Sequence, residues 1–202
     1  MKLIWVRHGE TLWNEQFRLQ GLSDVKLNEK GHWQARRLAD VLSKQQFSQI
    51  FVSPLCRARE FAAPLAAGVG IQPQVCDDLR EISFGRWEGL RYAEMDAATQ
   101  KLYLSWCNNP AAFTPPAGEA IQDVRARVAN FMLKITKTLG AEETAVIITH
   151  GGIIRVAVTL ALQMPITAAG KLLIDNASLT TMYFYASSWY LNKLNDTAHL
   201  AE

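Results

Sequence analysis

Short runs of apolar residues alternate along the chain with longer segments whose apolar residues recur every three to four positions. The runs are typical of strands that are buried on both faces of a sheet. They predict strands over residues 3–6, 50–52, 74–75 and 145–148, and a last strand over residues 179–185. The longer segments predict amphipathic helices over residues 28–44, 93–106, 121–140 and 153–164, and another from Pro54. This alternation indicates βαβ units and a mostly parallel sheet.

Polar residues and prolines indicate where several of these helices begin and end. Asn28 is suited to the N-cap position, because its side-chain oxygen can accept a hydrogen bond from the first helical turn. Pro64 is expected to end or kink the helix that starts near Pro54, because proline has no backbone N–H to donate. The segment 108–118, which contains Pro110, Pro115 and Pro116, is predicted to be a loop.

Chemically distinctive residues follow four of the predicted strands. Ligands of such sheets bind at the carboxyl ends of the strands, so these residues are expected to meet at one edge. They are Arg7-His8-Gly9-Glu10, Ser53-Pro54-Leu55-Cys56-Arg57, Leu79-Arg80-Glu81 and Thr149-His150-Gly151-Gly152. Two of these segments place a histidine directly before a glycine. Chance could supply one such coincidence, but all four segments together are hard to attribute to it.

The chemistry that these groups suit is phosphoryl transfer, in which catalysis consists mainly of positioning and of stabilising charge. Arg7 and Arg57 offer planar guanidinium forks that match phosphate oxygens. Gly151 opens a predicted helix, whose free N–H groups can face an anion. His8 is a capable nucleophile when neutral, and the neighbouring guanidinium charges are expected to lower its pKa. Glu81 can donate a proton to the leaving oxygen.

Composition and charge narrow the class of protein. The 202 residues include 49% hydrophobic and 20% charged residues, as in an ordinary globular protein, and length alone predicts one domain. The net charge of +2 gives no indication of a nucleic-acid or membrane partner. The cysteines Cys56, Cys76 and Cys107 form no C-x-x-C pair, and no segment has the length of a signal peptide or a membrane span. We therefore expect a cytoplasmic protein.

Other kinds of site have little support in the sequence. Neither G-x-x-x-x-G-K-[ST] nor G-x-G-x-x-G is present, so no nucleotide cofactor is expected. His8 and His150 with a carboxylate could bind a metal ion. However, Arg7 and Arg57 would repel the ion, and no pair of ligands has metal-site spacing. We expect no metal and no cofactor.

The motifs at the strand ends resemble those of the histidine phosphatase superfamily, and the resemblance spans nearly the whole chain. The matching segments are Val6-Arg7-His8-Gly9-Glu10-Thr11 with Asn14, Gln20-Gly21, Asn28-Glu29-Lys30-Gly31, Ser53-Pro54-Leu55 with Arg57-Ala58, Leu79-Arg80-Glu81, and Thr149-His150-Gly151-Gly152.

This resemblance implies an α/β fold, a three-layer α/β/α sandwich that forms a single domain over residues 1–202, with segment 82–120 covering the active site. It also implies a covalent phosphohistidine at His8, a phosphate pocket completed by Arg7, Arg57 and His150, and Glu81 as proton donor. Further substrate contacts are expected from Asn14, Gln20, Gly21 and Gly151. The partner would be a small phosphorylated metabolite, and the protein a monomer or homodimer.

Within the superfamily, the stretch Phe84-Gly85-Arg86-Trp87-Glu88-Gly89 looks most like the alpha-ribazole phosphatase branch. The expected substrate is then alpha-ribazole 5′-phosphate, in cobalamin biosynthesis. Alternatives are a phosphoglycerate mutase-type isomerase, a phosphatase of broad specificity and a catalytically idle module that binds phosphorylated ligands. The chain departs from the family pattern at Phe61 and at Ala117 and Ala120, which bears on the identity of the substrate.

Several of these residues also have an ordinary structural interpretation. Asp77, Asp78 and Glu88 lie near Glu81 in sequence and compete with it for the role of proton donor. Asn14 could be a helix cap instead of a substrate ligand. Trp87 and Trp106 are either core residues or part of the pocket entrance.

Overall fold

The computed structural model of the protein describes residues 1–201, which contain six strands and six α-helices. The strands are β1 (Lys2–Arg7), β2 (Gln49–Val52), β3 (Gln74–Val75), β4 (Thr144–Thr149), β5 (Leu179–Tyr185) and β6 (Ser188–Asp196). The helices are α1 (Leu12–Glu15), α2 (Glu29–Leu42), α3 (Cys56–Val69), α4 (Ala97–Asn108), α5 (Ile121–Thr138) and α6 (Gly151–Ala161). Short 3-10 turns, among them Asp77–Leu79 and Ile166–Lys171, connect some of them.

The strands form one sheet in the order β3-β2-β4-β1-β5-β6. Strands β3, β2, β4 and β1 are parallel, whereas β5 is antiparallel to β1 and β6 is antiparallel to β5. The mostly parallel sheet predicted from the sequence is thereby confirmed. The ends of β1 and β4 lie side by side, since Arg7 pairs with Thr149.

Side chains of the central strands alternate between two apolar cores, as the two-residue period of a strand requires. Leu3 and Trp5 of β1 belong to the core beneath α5 and α6. Ile4 and Val6 belong to the core beneath α2 and α3. Because helices cover both faces of the sheet, the architecture is the three-layer α/β/α sandwich that the family resemblance implies.

The predicted helices agree with the structure to within a few residues, and their caps explain their starts. Asn28 is the N-cap of α2, and its Oδ1 accepts a hydrogen bond from the backbone N–H of Gly31. Ala35, Leu38 and Leu42 on the same helix are buried, as their spacing predicts. Helix α4 begins later than predicted, at Ala97, because Asp96 caps it through the N–H of Thr99.

Of the two effects expected of Pro64, to end or to kink its helix, the first is wrong. Helix α3 contains Pro64 and continues to Val69. An internal proline costs a helix about 3 kcal/mol. Phe61 and Leu65, on either side of it, are both fully buried, and burial of such side chains contributes about 1.5–3 kcal/mol each. Tertiary packing therefore offsets the lost hydrogen bond.

Strand β5, expected to be the last, is followed by a further strand. Ala186 and Ser187 link β5 to β6, and both have a positive φ (47° and 62°). Two consecutive residues in this conformation make the tight turn that joins a two-residue β-hairpin. Finally, no helix within residues 1–201 is both long and apolar enough to span a membrane.

Candidate active site

A pocket of about 310 Å³ opens at the carboxyl ends of β1 and β4. All the residues predicted for the site except His150 line it, namely Arg7, His8, Asn14, Gln20, Gly21, Arg57, Glu81 and Gly151. His150 lies directly behind His8, with their ring centroids 5.1 Å apart. The structure therefore brings together residues from distant parts of the sequence.

The hydrogen bonds of His8 define which ring nitrogen is free to react. Its Nδ1 lies 2.7 Å from the carbonyl oxygen of Gly9, and because a carbonyl oxygen only accepts, Nδ1 must carry the proton. The lone pair then resides on Nε2, to which Arg57 Nε donates a long hydrogen bond of 3.3 Å. Burial, followed by the charges of Arg57 and Arg7, lowers the pKa of His8 well below 6.5. His8 is therefore a neutral, oriented nucleophile at neutral pH.

Arg57 is held in place by the loop that contains Gly21. It lies in the first turn of α3 and is completely buried. Its Nη1 donates to the carbonyl of Ser23 at 2.8 Å, and its Nη2 donates to the carbonyl of Gly21 at 2.7 Å. Burial is also the main cause that lowers the pKa of Arg57. This side chain needs no rearrangement to place its charge beside His8.

Arg7 has spare hydrogen-bond donors. Nη1 donates to the carbonyl of Ile174 at 2.6 Å, whereas the buried Nε has no partner within residues 1–201. Burial lowers the pKa of Arg7 to about 10, so the side chain is still a cation at neutral pH. A buried donor without a partner is costly, and an anion in the pocket would satisfy it.

His150 has an unsatisfied nitrogen as well. Its Nε2 lies 2.7 Å from the hydroxyl of Ser53, and that hydroxyl accepts from the N–H of Leu55 at 3.4 Å. The Ser53 hydroxyl can donate to Nε2 in the tautomer of His150 that carries its proton on Nδ1. Within residues 1–201, Nδ1 is buried without a partner. Burial and the charge of Arg57 lower the pKa of His150 well below 6.5.

Glu81 reaches the pocket across the start of α6. Its carboxylate oxygens accept hydrogen bonds from the backbone N–H groups of Ile82, at 2.9 Å, and Gly152, at 3.2 Å. A Cβ at position 152 would lie 2.4 Å from Glu81 Oε1, closer than atoms can approach. The absence of a side chain at Gly152 therefore leaves the space that the Glu81 carboxyl group occupies.

The acids that compete with Glu81 in sequence have other surroundings. Glu88 accepts hydrogen bonds from the backbone N–H groups of Leu22, Ser23 and Phe84, so it joins two loops. Asp77 and Asp78 line a different hollow, beside β3. Of the acidic residues within 1–201, Glu81 is the one that lines the pocket.

Asn14 takes part in a helix cap and also lies in the wall of the pocket. It forms a capping box with Thr11 at the start of α1, and it also lines the pocket. Its Oδ1 accepts a hydrogen bond from Asn176 Nδ2 at 3.1 Å. Asn176, which sequence reasoning missed, also donates to the carbonyls of His8 and Gly9. No motif marks Asn176, and only the fold shows that it supports the His8 loop.

The far wall of the pocket consists mainly of residues that the sequence did not indicate. Tyr103, Trp106 and Cys107 of α4 line it together with Arg155 of α6. Of the two tryptophans considered, Trp106 lines the pocket, whereas Trp87 is 2% exposed and packs against Trp106. Arg155 did leave a signal, since it interrupts the apolar run of α6.

Phe61, one of the departures from the family pattern, packs beneath the His8 loop. It is completely buried, and its ring would lie 2.9 Å from a Cβ at Gly9. The glycine after His8 therefore leaves room for Phe61 and for the backbone of Gly31, whose oxygen would lie 2.7 Å from the same Cβ. Separately, residues 1–201 contain no group of three or more His, Cys, Asp or Glu side chains that could hold a metal ion.

Known proteins resemble this chain over nearly its whole length. The model of the histidine phosphatase superfamily (branch 1) matches residues 3–197. Among curated proteins, glucosyl-3-phosphoglycerate phosphatase of Mycobacterium tuberculosis is 33% identical over 218 residues, covering 99% of this chain and 96% of that protein. Phosphoserine phosphatase 1 of Hydrogenobacter thermophilus is 31% identical over 202 residues, covering 100% of this chain and 95% of that protein.

Solved structures give the same result for the fold. The mycobacterial glucosyl-3-phosphoglycerate phosphatase in complex with VO3 has a TM-score of 0.90 at 32% identity, covering 97% of this chain and 99% of that one. The alpha-ribazole phosphatase of Shigella flexneri has a TM-score of 0.87 at 24% identity, covering 97% and 96%, and this likeness concerns the fold alone. The chain belongs to the histidine phosphatase superfamily, branch 1.

Proposed function

We propose that the protein is a phosphomonoesterase that works through a covalent phosphohistidine at His8. The observation that carries this proposal is the state of His8. Its Nδ1 is fixed on a carbonyl oxygen, its Nε2 has the lone pair, and two buried arginines lie around it. A neutral imidazole beside fixed cations suits attack on a phosphate ester.

The phosphate group binds where donors lack partners. Arg7 Nε and His150 Nδ1 would donate to its oxygens, and Arg57 Nε would move its weak hydrogen bond from His8 to the phosphate. The first N–H groups of α6, at Gly151, add a further anion site. Because these groups are held before the substrate arrives, they need little reorganisation during the reaction.

In the first step, His8 Nε2 attacks phosphorus and forms a P–N bond while the P–O bond to the alcohol breaks. Glu81 donates its proton to the departing oxygen, so the alcohol leaves neutral. In the second step, the Glu81 carboxylate takes a proton from water, and the water oxygen attacks phosphorus. The P–N bond breaks, inorganic phosphate forms, and His8 returns to its starting state.

The substrate in this proposal is a small phosphorylated metabolite, as the 310 Å³ of the pocket and its mixed lining suggest. Alpha-ribazole 5′-phosphate is the candidate from the sequence, and the aromatic side chains of Tyr103 and Trp106 would suit its flat base. Some relatives above 30% identity are instead named for phosphoserine or for glucosyl-3-phosphoglycerate, and one, at 33% identity, is named as a phosphoglycerate mutase-like protein. Turnover of these three esters, measured side by side, would rank the candidates.

The covalent step is tested by trapping the intermediate. Brief reaction with a ³²P-labelled ester, quenched without acid, should label the peptide that contains His8. The label should be lost in acid and retained in base, as expected for phosphohistidine. His8→Ala should not be labelled and should lose nearly all turnover. Asp78→Asn is the control and should match the wild type, because Asp78 lines a different hollow.

Wild-type turnover by His8→Ala would contradict the proposal. The products separate hydrolysis from the mutase alternative. With 3-phosphoglycerate, a phosphatase releases inorganic phosphate, whereas a mutase returns the phosphoryl group as 2-phosphoglycerate.

A further inference from the structure

Arg155 provides a cation in the pocket, outside the phosphate site described above. It lies in the second turn of α6, is partly buried, and lines the same pocket as His8. It shares this lining with Arg7 of the phosphate site and with Tyr103, Trp106 and Cys107 of α4.

The hydrogen bonds of Arg155 leave part of its guanidinium free. Nε donates to the carbonyl of Leu172 at 2.9 Å, and Leu172 directly follows the Ile166–Lys171 turn. This hydrogen bond fixes the side chain. Its two Nη atoms have no hydrogen-bond or acidic partner within residues 1–201, and neither is sealed from solvent. The other non-phosphate arginine of the pocket differs, because Arg18 Nη1 and Nη2 bind Glu94 at 2.6 and 3.0 Å.

The charges in the pocket indicate what would pair with Arg155. Arg7 and Arg57 together balance the two negative charges of a bound phosphate dianion. The oxygens of Glu81, the acidic residue of the lining, accept hydrogen bonds from the backbone N–H groups of Ile82 and Gly152 and none from Arg155. With Arg18 neutralised by Glu94, the single positive charge of Arg155 remains without a partner. A partly buried cation is stabilised when an anion pairs with it.

We infer that Arg155 is a specificity-determining residue that binds a carboxylate carried by the substrate in addition to its phosphate. A carboxylate supplies the one negative charge required, and its two oxygens match the free Nη atoms of the fork. A second phosphate would exceed the available positive charge. This inference rests on the proposed phosphatase function and deepens it to phosphorylated hydroxy acids or amino acids. Alpha-ribazole 5′-phosphate has no second anion and would be a poor substrate.

The test compares pairs of esters in which the carboxylate is replaced by hydrogen or by a hydroxymethyl group. One pair is O-phosphoserine and O-phosphoethanolamine, and another is 3-phosphoglycerate and glycerol 3-phosphate. We expect wild-type kcat/KM to favour the carboxylate of each pair by about ten- to a hundredfold, the range of a charged hydrogen bond. Arg155→Gln, which keeps a donor for the Leu172 carbonyl, should bring both ratios close to one. Arg155→Lys, which keeps the charge but loses the fork, should retain part of the preference.

A matched control removes an arginine elsewhere. Arg36→Gln changes an exposed side chain on α2 and should keep the wild-type ratios. Wild-type ratios near one would overturn the inference, whatever the variants do. The inference would also be overturned if Arg155→Gln lowered kcat/KM for both esters of a pair equally while its thermal unfolding midpoint stayed that of the wild type.

The proposed function and this inference fail in different ways. If wild-type protein hydrolyses neither p-nitrophenyl phosphate nor any of the four esters, the proposed function is wrong and this inference is lost with it. If it hydrolyses them through labelled His8 without a carboxylate preference, the inference about Arg155 alone is wrong.

Discussion

His8 and His150 lie side by side, yet their hydrogen bonds prepare them for different tasks. A backbone carbonyl holds the proton of His8 on Nδ1, so its Nε2 can act as a nucleophile. The Ser53 hydroxyl lies against Nε2 of His150, so Nδ1 can act as a donor. Burial and the charge of Arg57 keep both rings neutral near pH 7. The partner of the second nitrogen, rather than the residue type, thus separates their proposed roles.

Glu81 is the residue whose role can be isolated by the choice of leaving group. Glu81→Gln keeps size and hydrogen bonding but removes the transferable proton. An alkoxide is a poor leaving group, so we expect an alkyl phosphate to slow by about 10²–10⁴-fold, and p-nitrophenyl phosphate much less. Because the same group should activate water, the phosphohistidine should accumulate with the aryl ester. Stopped-flow kinetics would show this as a burst of nitrophenol.

Asp78→Asn serves as the matched control, since Asp78 lines a different hollow. Equal slowing of alkyl and aryl esters by Glu81→Gln, without a burst, would show that Glu81 is not the acid. The same conclusion would follow if Asp78→Asn showed the dependence on leaving group. The proposed covalent chemistry at His8 would remain, because it rests on other residues.

At the scale of elements, helix α5 holds the turn that carries Glu81. Arg127, 8% exposed on this helix, donates to the carbonyls of Asp78 and Arg80, each at 2.7 Å, and of Glu81 at 3.2 Å. Its guanidinium also binds the carboxylate of Glu119, at 2.9 and 3.0 Å. One side chain therefore fixes the loop before α5 and the backbone of the predicted acid. Arg127 is a positioning residue in this interpretation.

Arg127→Lys tests that role, because lysine keeps the charge but cannot make all these contacts. We expect kcat for an alkyl phosphate to fall about tenfold, as for the loss of one charged hydrogen bond, with little change in KM. Turnover of p-nitrophenyl phosphate should fall less, because its leaving group does not need the proton of Glu81. Arg125→Lys on the same helix is the control, because the Arg125 side chain makes no hydrogen bond within residues 1–201. Equal loss with both esters would indicate a structural role alone.

The elements show how far the sequence specified this fold. The buried runs 3–6, 50–52 and 145–148 lie within β1, β2 and β4, because a strand covered on both faces has no room for polar residues. Strand β6 was missed because its turn, Ala186-Ser187, adopts positive φ without glycine or asparagine, the usual signals. The sequence did not show that α3 continues past Pro64, because local helix propensity takes no account of the burial of Phe61 and Leu65 in the folded chain.

The residues of the site also divide into those that the sequence predicted and those that it did not. Arg7, His8 and His150 were found because each follows a strand end, and strand ends meet at one edge of the sheet. Asn176 was missed because no motif marks it. The one signal left by Arg155, a charge within the apolar run of α6, indicated no function. Arg155 meets the pocket by its position on α6, and Asn176 reaches the His8 loop across a long separation in sequence. Their neighbours exist only in the folded chain.

For the molecule as a whole, charge is concentrated rather than abundant. The net charge is only +2, yet Arg7, Arg57 and Arg155 face one pocket that has a single acidic residue in its lining. Such a pocket draws in anions without making the protein surface strongly basic. The cores above and below the sheet hold these cations in place, and desolvation lowers the pKa values of Arg7 and Arg57. The fold thereby carries an electrostatic cost that an anionic ligand would relieve.

The same burial makes stability depend on pH. In the unfolded chain, histidine takes up a proton near pH 6.5. Burial and the charges of Arg57 and Arg7 place the folded-state pKa values of His8 and His150 well below that. As the pH falls below 6.5, the unfolded state therefore binds protons that the folded state does not, and unfolding becomes easier. The stability that depends on these two neutral histidines is fully present above pH 6.5. It is lost on acidification, by up to about 1.4 kcal/mol of unfolding free energy per pH unit for each histidine.

Urea unfolding of wild type, His8→Gln, His150→Gln and the double variant, from pH 5 to 8, measures this contribution. Gln cannot titrate, so each single variant should lose part of the wild-type slope below pH 6.5, and the double variant should lose the most, up to about 2.7 kcal/mol per pH unit. Above pH 7 the differences in unfolding free energy between the four proteins should be independent of pH, which provides an internal control. Parallel curves for all four across the whole range would mean that both histidines take up protons in the folded state as readily as in the unfolded chain. The neutral His8 on which the proposed attack depends would then be wrong.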